Sequence, residues 1–177
     1  MENLPEPDQQ HEEKRRARRS LITQAVVFAV ALYAVQVFQL RDAVGGQAPD
    51  LASTSLAGKT VAVKALKGKP ALVHFWATWC NICRMEQGNI EAVSKDYPMI
   101  SIASWSGGDR EVTHHMRRER IDFPTVADND GHWAEAYGVH GIPVTFVLDR
   151  HGQIAYIANG YTTELGLRVR LWLAGRS

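Results

Sequence analysis

The chain has 177 residues, room for one domain with a full core and an appendage but not for two complete domains. Its 20 Lys and Arg against 19 Asp and Glu leave a formal net charge of +1. That lacks the cationic excess needed to neutralise a phosphate backbone, so nucleic acid is excluded as a partner.

Residues 1–19 are polar and read as a short tail with no core of its own. From Ser20 to Leu40 runs "SLITQAVVFAVALYAVQVFQL", which carries no formal charge, with Thr23, Gln24, Gln36 and Gln39 towards its ends. At about 1.5 Å rise per residue such a run crosses a hydrocarbon core roughly 30 Å thick, so one transmembrane helix is expected over 20–40. Lys14, Arg15, Arg16, Arg18 and Arg19 precede it and only Arg41 follows closely. This asymmetry predicts a cytoplasmic N-terminus and an exported C-terminal part. The alternatives are a buried core helix and a cleaved signal peptide. A signal peptide's apolar region is shorter and ends in small residues, whereas "FQLRDAVGG" has a bulky, charged edge.

The Gly-, Ala- and Ser-rich stretch "RDAVGGQAPDLASTSLAGKT" reads as a tether, with a linker over 41–47 and a folded domain over 48–177. Within the domain, "TVAV" (60–63) is a short expected strand. "PALVHFWA" (70–77) is a buried one, dominated by apolar and aromatic residues. A helix is expected over 82–97, with Ile82, Met85, Ile90 and Val93 at helical spacing and Pro98 ending it. A strand over 99–104 follows, then a polar helix over 109–121 with Asp109 as N-cap. Strands are expected over 124–128, 143–149 and 153–159. A final helix over 162–175 offers Leu165, Val169, Leu171, Trp172 and Leu173 as its apolar positions. Alternating strands and helices predict a layered α/β domain.

Both cysteines of the chain stand in "HFWATWCNICRME", as Cys80 and Cys83. A zinc site needs four ligands. The only adjacent histidines, His114 and His115, cannot both point at one metal from a helix, so no metal is expected. A structural disulfide between residues three apart closes too small a loop to restrain the unfolded chain much. The redox reading is preferred. Cys80 follows a strand and begins a helix, where free N–H groups and the helix dipole favour a thiolate; Cys83, one turn in, is expected to be shielded and placed to attack a mixed disulfide on Cys80.

"FWATWCNIC" resembles the active-site segment of the thioredoxin superfamily, and "GIPVTFVLD", some sixty residues on, resembles its cis-proline segment. With "WCNICRMEQGNIEAVSKDY" the chain is similar to the membrane-anchored TlpA/ResA branch, and within it most similar to the suppressor-of-copper-sensitivity D-like protein disulfide oxidoreductases. The resemblance runs from Ala48 to the C-terminus. It implies a thioredoxin fold with a central mixed sheet flanked by helices, Cys80 as attacking and Cys83 as resolving cysteine, and a Cys80–Cys83 disulfide. It also implies a cis Pro143 beside the pair, with the Ile142 backbone offered to an incoming peptide strand.

The chain departs from the thioredoxin pattern at three places. His74 stands where thioredoxins carry a buried Asp that handles the proton of the second thiol. Gly88 replaces the kink-forming proline of the active-site helix, and Asn81-Ile82 separates the cysteines. His74 is read either as that proton-handling group or as a satisfied core histidine. Glu86, three residues after Cys83 and on its helical face, is either near the active site or a solvated carboxylate. Trp76 reads as packing and Trp79 as a wall beside the cysteines. "HHMRRER" (114–120) reads as a solvated helix face, with a docking surface for a partner as the alternative.

The expected function is a thiol–disulfide oxidoreductase in the bacterial inner membrane, its catalytic domain periplasmic. Its expected partners are exported protein thiols and disulfides and a membrane electron donor of DsbD-like type. No cofactor is expected. The alternatives are a cytochrome c maturation thiol reductase and a copper-handling module in which the two thiolates and Met85 or a histidine capture Cu(I).

Overall fold

The computed structural model describes residues 20–28, 30 and 45–176. The expected tail, residues 29 and 31–40 of the expected anchor, and residues 41–44 of the linker lie outside them. The chain divides into two compact units, 1–41 and 42–177. In the first, residues 20–28 and 30 are helical (α1). Among the described residues, no helix is long and apolar enough to cross a membrane.

The second unit comprises β1 (Gly46–Gln47), β2 (Ala52–Thr54), β3 (Thr60–Ala62), a 3-10 turn (Val63–Leu66), β4 (Ala71–Trp76), α2 (Asn81–Ser94), β5 (Met99–Ser104), α3 (Asp109–Glu119), β6 (Thr125–Asp128), α4 (His132–Ala136), β7 (Val144–Leu148), β8 (Gln153–Asn159) and α5 (Glu164–Ala174). Six strands form one mixed sheet in the order β1-β8-β7-β4-β5-β6, parallel across β4–β5–β6 and antiparallel elsewhere; β2 and β3 pair separately. This is the layered α/β arrangement that the alternation of elements predicts.

Every residue of β4 is buried because the strand lies between β5 and β7 and is covered on both faces. Side chains alternate across it. Leu72 and Trp76 join Ile90 and Val93 of α2 and Leu167, Leu171 and Ala174 of α5 in one core. Val73 and Phe75 join the other, whose centre is the aromatic trio Phe75, Tyr137 and Phe146, with ring centroids 4.9–5.7 Å apart. By the same alternation His74 faces α2.

Several expectations are corrected. The linker does not extend to residue 47, because Gly46 and Gln47 already pair with Ile154 and Gln153 of β8. β2 likewise lies inside the expected tether. Asp109 is the first residue of α3 rather than its cap, which is Gly108; the carboxylate still sits at the positive end of the helix dipole. α5 starts at Glu164, after Thr163, whose Oγ1 accepts the Gly166 N–H at 3.1 Å. Of its five expected apolar positions only Leu171 is buried; Leu165, Val169, Trp172 and Leu173 face outward, and Leu167 and Ala174 complete the packed face.

α4 was not foreseen. Its first turn is held by Asp128, which accepts the N–H groups of Trp133 and Ala134 at 2.9 and 3.1 Å and the Ser104 hydroxyl at 2.8 Å. Gly131 enters this turn at φ 77°, and a Cβ there would lie 2.6 Å from Trp105 Nε1. Gly131→Ala is therefore expected to cost about 1–2 kcal/mol, read as a lower urea midpoint with unchanged slope.

Candidate active site

β4 ends at Trp76, and the chain turns through Ala77, Thr78 and Trp79 before α2 begins. The turn is pinned at three points. The Cys80 N–H donates to Ala77 O at 3.2 Å, the Thr78 N–H to Ser106 Oγ at 3.0 Å, and Trp79 Nε1–H to Trp105 O at 2.9 Å. Cys80 thus occupies the N-cap of α2 with extended backbone, and its Sγ accepts the Cys83 N–H at 3.1 Å. A sulfur replaces the usual capping oxygen, so the unpaired N–H groups of the first turn lie beside it. Cys80 and Cys83 are joined in a disulfide and are 8% and 5% exposed. Trp79 and Ile82 beside them are largely exposed, so the cysteine end of α2 opens onto solvent through apolar side chains. α2 continues through Gly88 without interruption.

The Ile142–Pro143 peptide is cis. Pro143 is buried, its carbonyl accepts the Gly160 N–H at 2.9 Å, and Ile142 packs against the core cluster that holds Cys80 and Cys83.

Behind the disulfide lies a buried pair. His74, on the α2-facing side of β4, stands directly opposite Thr145 of β7, and its Nδ1 is hydrogen-bonded to Thr145 Oγ1 at 2.9 Å. Its Nε2 lies 3.9 Å from Glu86 Oε1. Glu86 sits on the buried face of α2, one turn beyond Cys83, and is wholly excluded from solvent. Its Oε2 accepts the Thr162 N–H at 2.8 Å, while Oε1 has no hydrogen-bond partner. The solvated-carboxylate alternative for Glu86 is thereby overturned, because the segment leading into α5 meets it through Thr162.

Burial raises the Glu86 carboxyl from 4.5 to about 7, against the lowering effect of the Thr162 N–H. Burial also lowers His74 from 6.5 to about 3. Near pH 7 the imidazole is therefore neutral and the carboxyl is the group that exchanges its proton. A carboxyl held there suits acid–base work at neutral pH.

The structure also brings in a residue that sequence reading assigned to a solvated face. His115 of α3 is buried, with its ring centroid 5.7 Å from that of Trp76. Together with His74, Cys80, Cys83 and Gln87 it lines a small cavity beside the disulfide. The available signal was spacing: Val112, His115 and Met116 share one face of α3. Among the described residues, no group of three or more His, Cys, Asp and Glu side chains is arranged to hold a metal ion.

Residues 44–157 match the AhpC/TSA family. The chain is similar to a thioredoxin-like protein of Haemophilus influenzae, with 35% identity over 121 residues covering 67% of this chain and 72% of the relative. It is also similar to the thiol-disulfide oxidoreductase ResA of Bacillus subtilis, with 29% identity covering 68% and 69%. Among solved structures it resembles a thiol:disulfide interchange protein of the thioredoxin family from Chlorobium tepidum, with a TM-score of 0.65 and 26% identity, covering 75% of this chain and 98% of the other.

Proposed function

Since this chain belongs to the AhpC/TSA family of thioredoxin-like proteins and is a thiol–disulfide oxidoreductase, we propose that it works as a membrane-anchored reductant of disulfides in exported proteins. In this reading the anchor is residues 20–40 and residues 1–19 are cytoplasmic. The catalytic domain is periplasmic, and electrons come from a membrane donor of DsbD-like type. The observation that carries the chemistry is the Cys80–Cys83 disulfide at the N-terminus of α2, with Cys80 Sγ in the capping position.

In the reduced enzyme the Cys80 thiolate attacks one sulfur of a substrate disulfide, forming a mixed disulfide and releasing one substrate thiolate, which takes a proton from water. Cys83 then loses its proton and attacks Cys80 Sγ. The mixed disulfide breaks, the second substrate thiolate leaves, and the enzyme carries the Cys80–Cys83 bond. Glu86 is the acceptor for the Cys83 proton, with His74 as its neutral neighbour. Trp79, Ile82 and the Ile142 backbone supply the surface on which the substrate strand lies. Each turnover moves two electrons from enzyme to substrate, and the donor returns them.

The first turn of α2 supports the reducing direction. Asn81 adds at most a neutral dipole and Ile82 none, so the helix terminus stabilises the Cys80 thiolate almost alone. A dedicated oxidant needs a far more stable thiolate.

Intact wild-type cells treated with a small membrane-impermeant thiol reagent test both halves of the reading. Labelling of the native chain, equal to that by a permeant reagent, is the expected result. Labelling by the permeant reagent alone would overturn the topology, and labelling by neither would mean a resident oxidised enzyme and sink the reductant role.

A further inference from the structure

α5 is apolar on two sides. Leu167, Leu171 and Ala174 fill the core, yet Leu165, Val169, Trp172 and Leu173 are 72%, 48%, 56% and 38% exposed. At 100° per residue these four fall on a single stripe opposite the packed face. All four keep more than a third of their surface open, and among the described residues Arg176 alone is stacked on one of them, Trp172. The only acidic residue of the helix, Glu164, is bound to Arg168, which also reaches Asp96. Arg170 borders the stripe, and the Arg176 guanidinium lies 3.1 Å from the centre of the Trp172 ring. An apolar stripe with tryptophan and a cationic rim fits a boundary between hydrocarbon and anionic headgroups.

We propose that this face of α5 docks on the lipid surface of the membrane that residues 20–40 cross. The proposal rests on the anchored reading above. Five residues, 41–45, separate the anchor's expected end from the first paired residue, Gly46. At full stretch they span roughly 20 Å, less than the width of a domain of this size. On the anchored reading, a tether of that reach keeps the domain near the bilayer. The chain enters at β1, the sheet edge beside β8, and α5 packs over β7 and β8 at that same side. A second copy of the chain fits the stripe less well. The stripe offers on the order of 400 Å², against about 800 Å² per partner in a stable pair, and a two-fold contact would set the arginine rim against itself. Because α5 lies along α2, with Arg168 donating to Ala92 O and the Thr162 N–H to Glu86, docking would hold the cysteine end of α2 at a fixed height above the bilayer.

The test reconstitutes the full chain in vesicles of phosphatidylcholine and phosphatidylglycerol whose acyl chains are brominated, and reads tryptophan quenching. The wild type should float with the vesicles and be quenched. Trp172→Phe should lose that quenching, and so should Leu165→Glu combined with Val169→Glu, with unchanged circular dichroism and unchanged reduction of soluble insulin. A chain that floats but shows no quenching dependent on Trp172 overturns the docking and leaves the anchor standing. Cross-linked pairs abolished by the double variant, without such quenching, would assign the face to a second copy instead. A chain that does not float removes the anchor, and the proposal with it.

Discussion

Replacing Cys83 by alanine is expected to stop turnover, by at least about a thousandfold, while leaving the enzyme covalently attached to its substrates. Cys80→Ala should stop turnover equally and attach to nothing. Exposure does not separate the two cysteines, since 8% and 5% are alike. Their places on α2 do. Cys80 Sγ occupies the cap and already receives the Cys83 N–H, so its thiolate is stabilised by the free N–H groups of the first turn. Cys83 lies inside the helix, on the face that carries Glu86. Its thiol needs a local base before it attacks. Without Cys83 the mixed disulfide on Cys80 has no internal route to resolution, and non-reducing electrophoresis after acid quenching should reveal it as new high-mass species. Equal trapping by the two variants would reverse or void the division of labour.

Glu86→Gln is expected to remove a pH dependence from folding stability and to slow resolution of the mixed disulfide. The folded carboxyl is raised from 4.5 to about 7 by burial. Below pH 4.5 both folded and unfolded chains hold the proton, and the native state bears no penalty. Between 4.5 and 7 the unfolded chain releases its proton while the folded one keeps it, so stability falls with pH by up to about 1.4 kcal/mol per pH unit. Above 7 both are ionised, and the accumulated loss is on the order of 3 kcal/mol. Glutamine keeps an acceptor for the Thr162 N–H but cannot ionise. Relative to wild type the variant should therefore gain about 3 kcal/mol between pH 4 and pH 8, measured by urea unfolding of the oxidised protein at each pH.

His74, lowered to about 3, contributes the opposite slope. It gives stability that is present above 6.5 and lost as pH falls towards 3, and both proteins share it. Parallel stability curves from pH 4 to pH 8 would mean that Glu86 is not raised. On the proposed mechanism the same substitution removes the acceptor for the Cys83 proton. The mixed disulfide should then decay about a hundredfold more slowly at pH 7, a loss typical of one general base. Unchanged decay would take Glu86 out of the mechanism while leaving its effect on stability intact.

Five of the six strands of the main sheet and the longer helices of the domain were legible because their patterns are long enough to show a period. β4 reads as a continuous apolar run and α2 as a 3.6-residue repeat, and both appear where expected to within a few residues. The elements that were missed are short. β1 has two residues, β2 three and α4 five, too few for either period to declare itself. What forms them is non-local: a register with β8 for β1, and the Asp128 carboxylate for α4.

By itself the sequence determined that the chain has a strand-to-helix junction carrying two cysteines at dithiol spacing, inside an alternating α/β pattern, behind a long uncharged apolar run. These are local facts, and local spacing and composition suffice to state them. The tertiary structure alone decided which face of each helix meets the core. Glu86 and His115 were assigned to solvent, or left open to it, because periodicity reports which residues share a face and is silent on what that face touches. The strand-crossing placement of His74, opposite Thr145 and 3.9 Å from Glu86, joins residues up to 71 positions apart. For α5 the outcome reversed. Four of five apolar positions were left outside, because α5 meets α2 and the sheet only through the face that carries Leu167, Leu171 and Ala174.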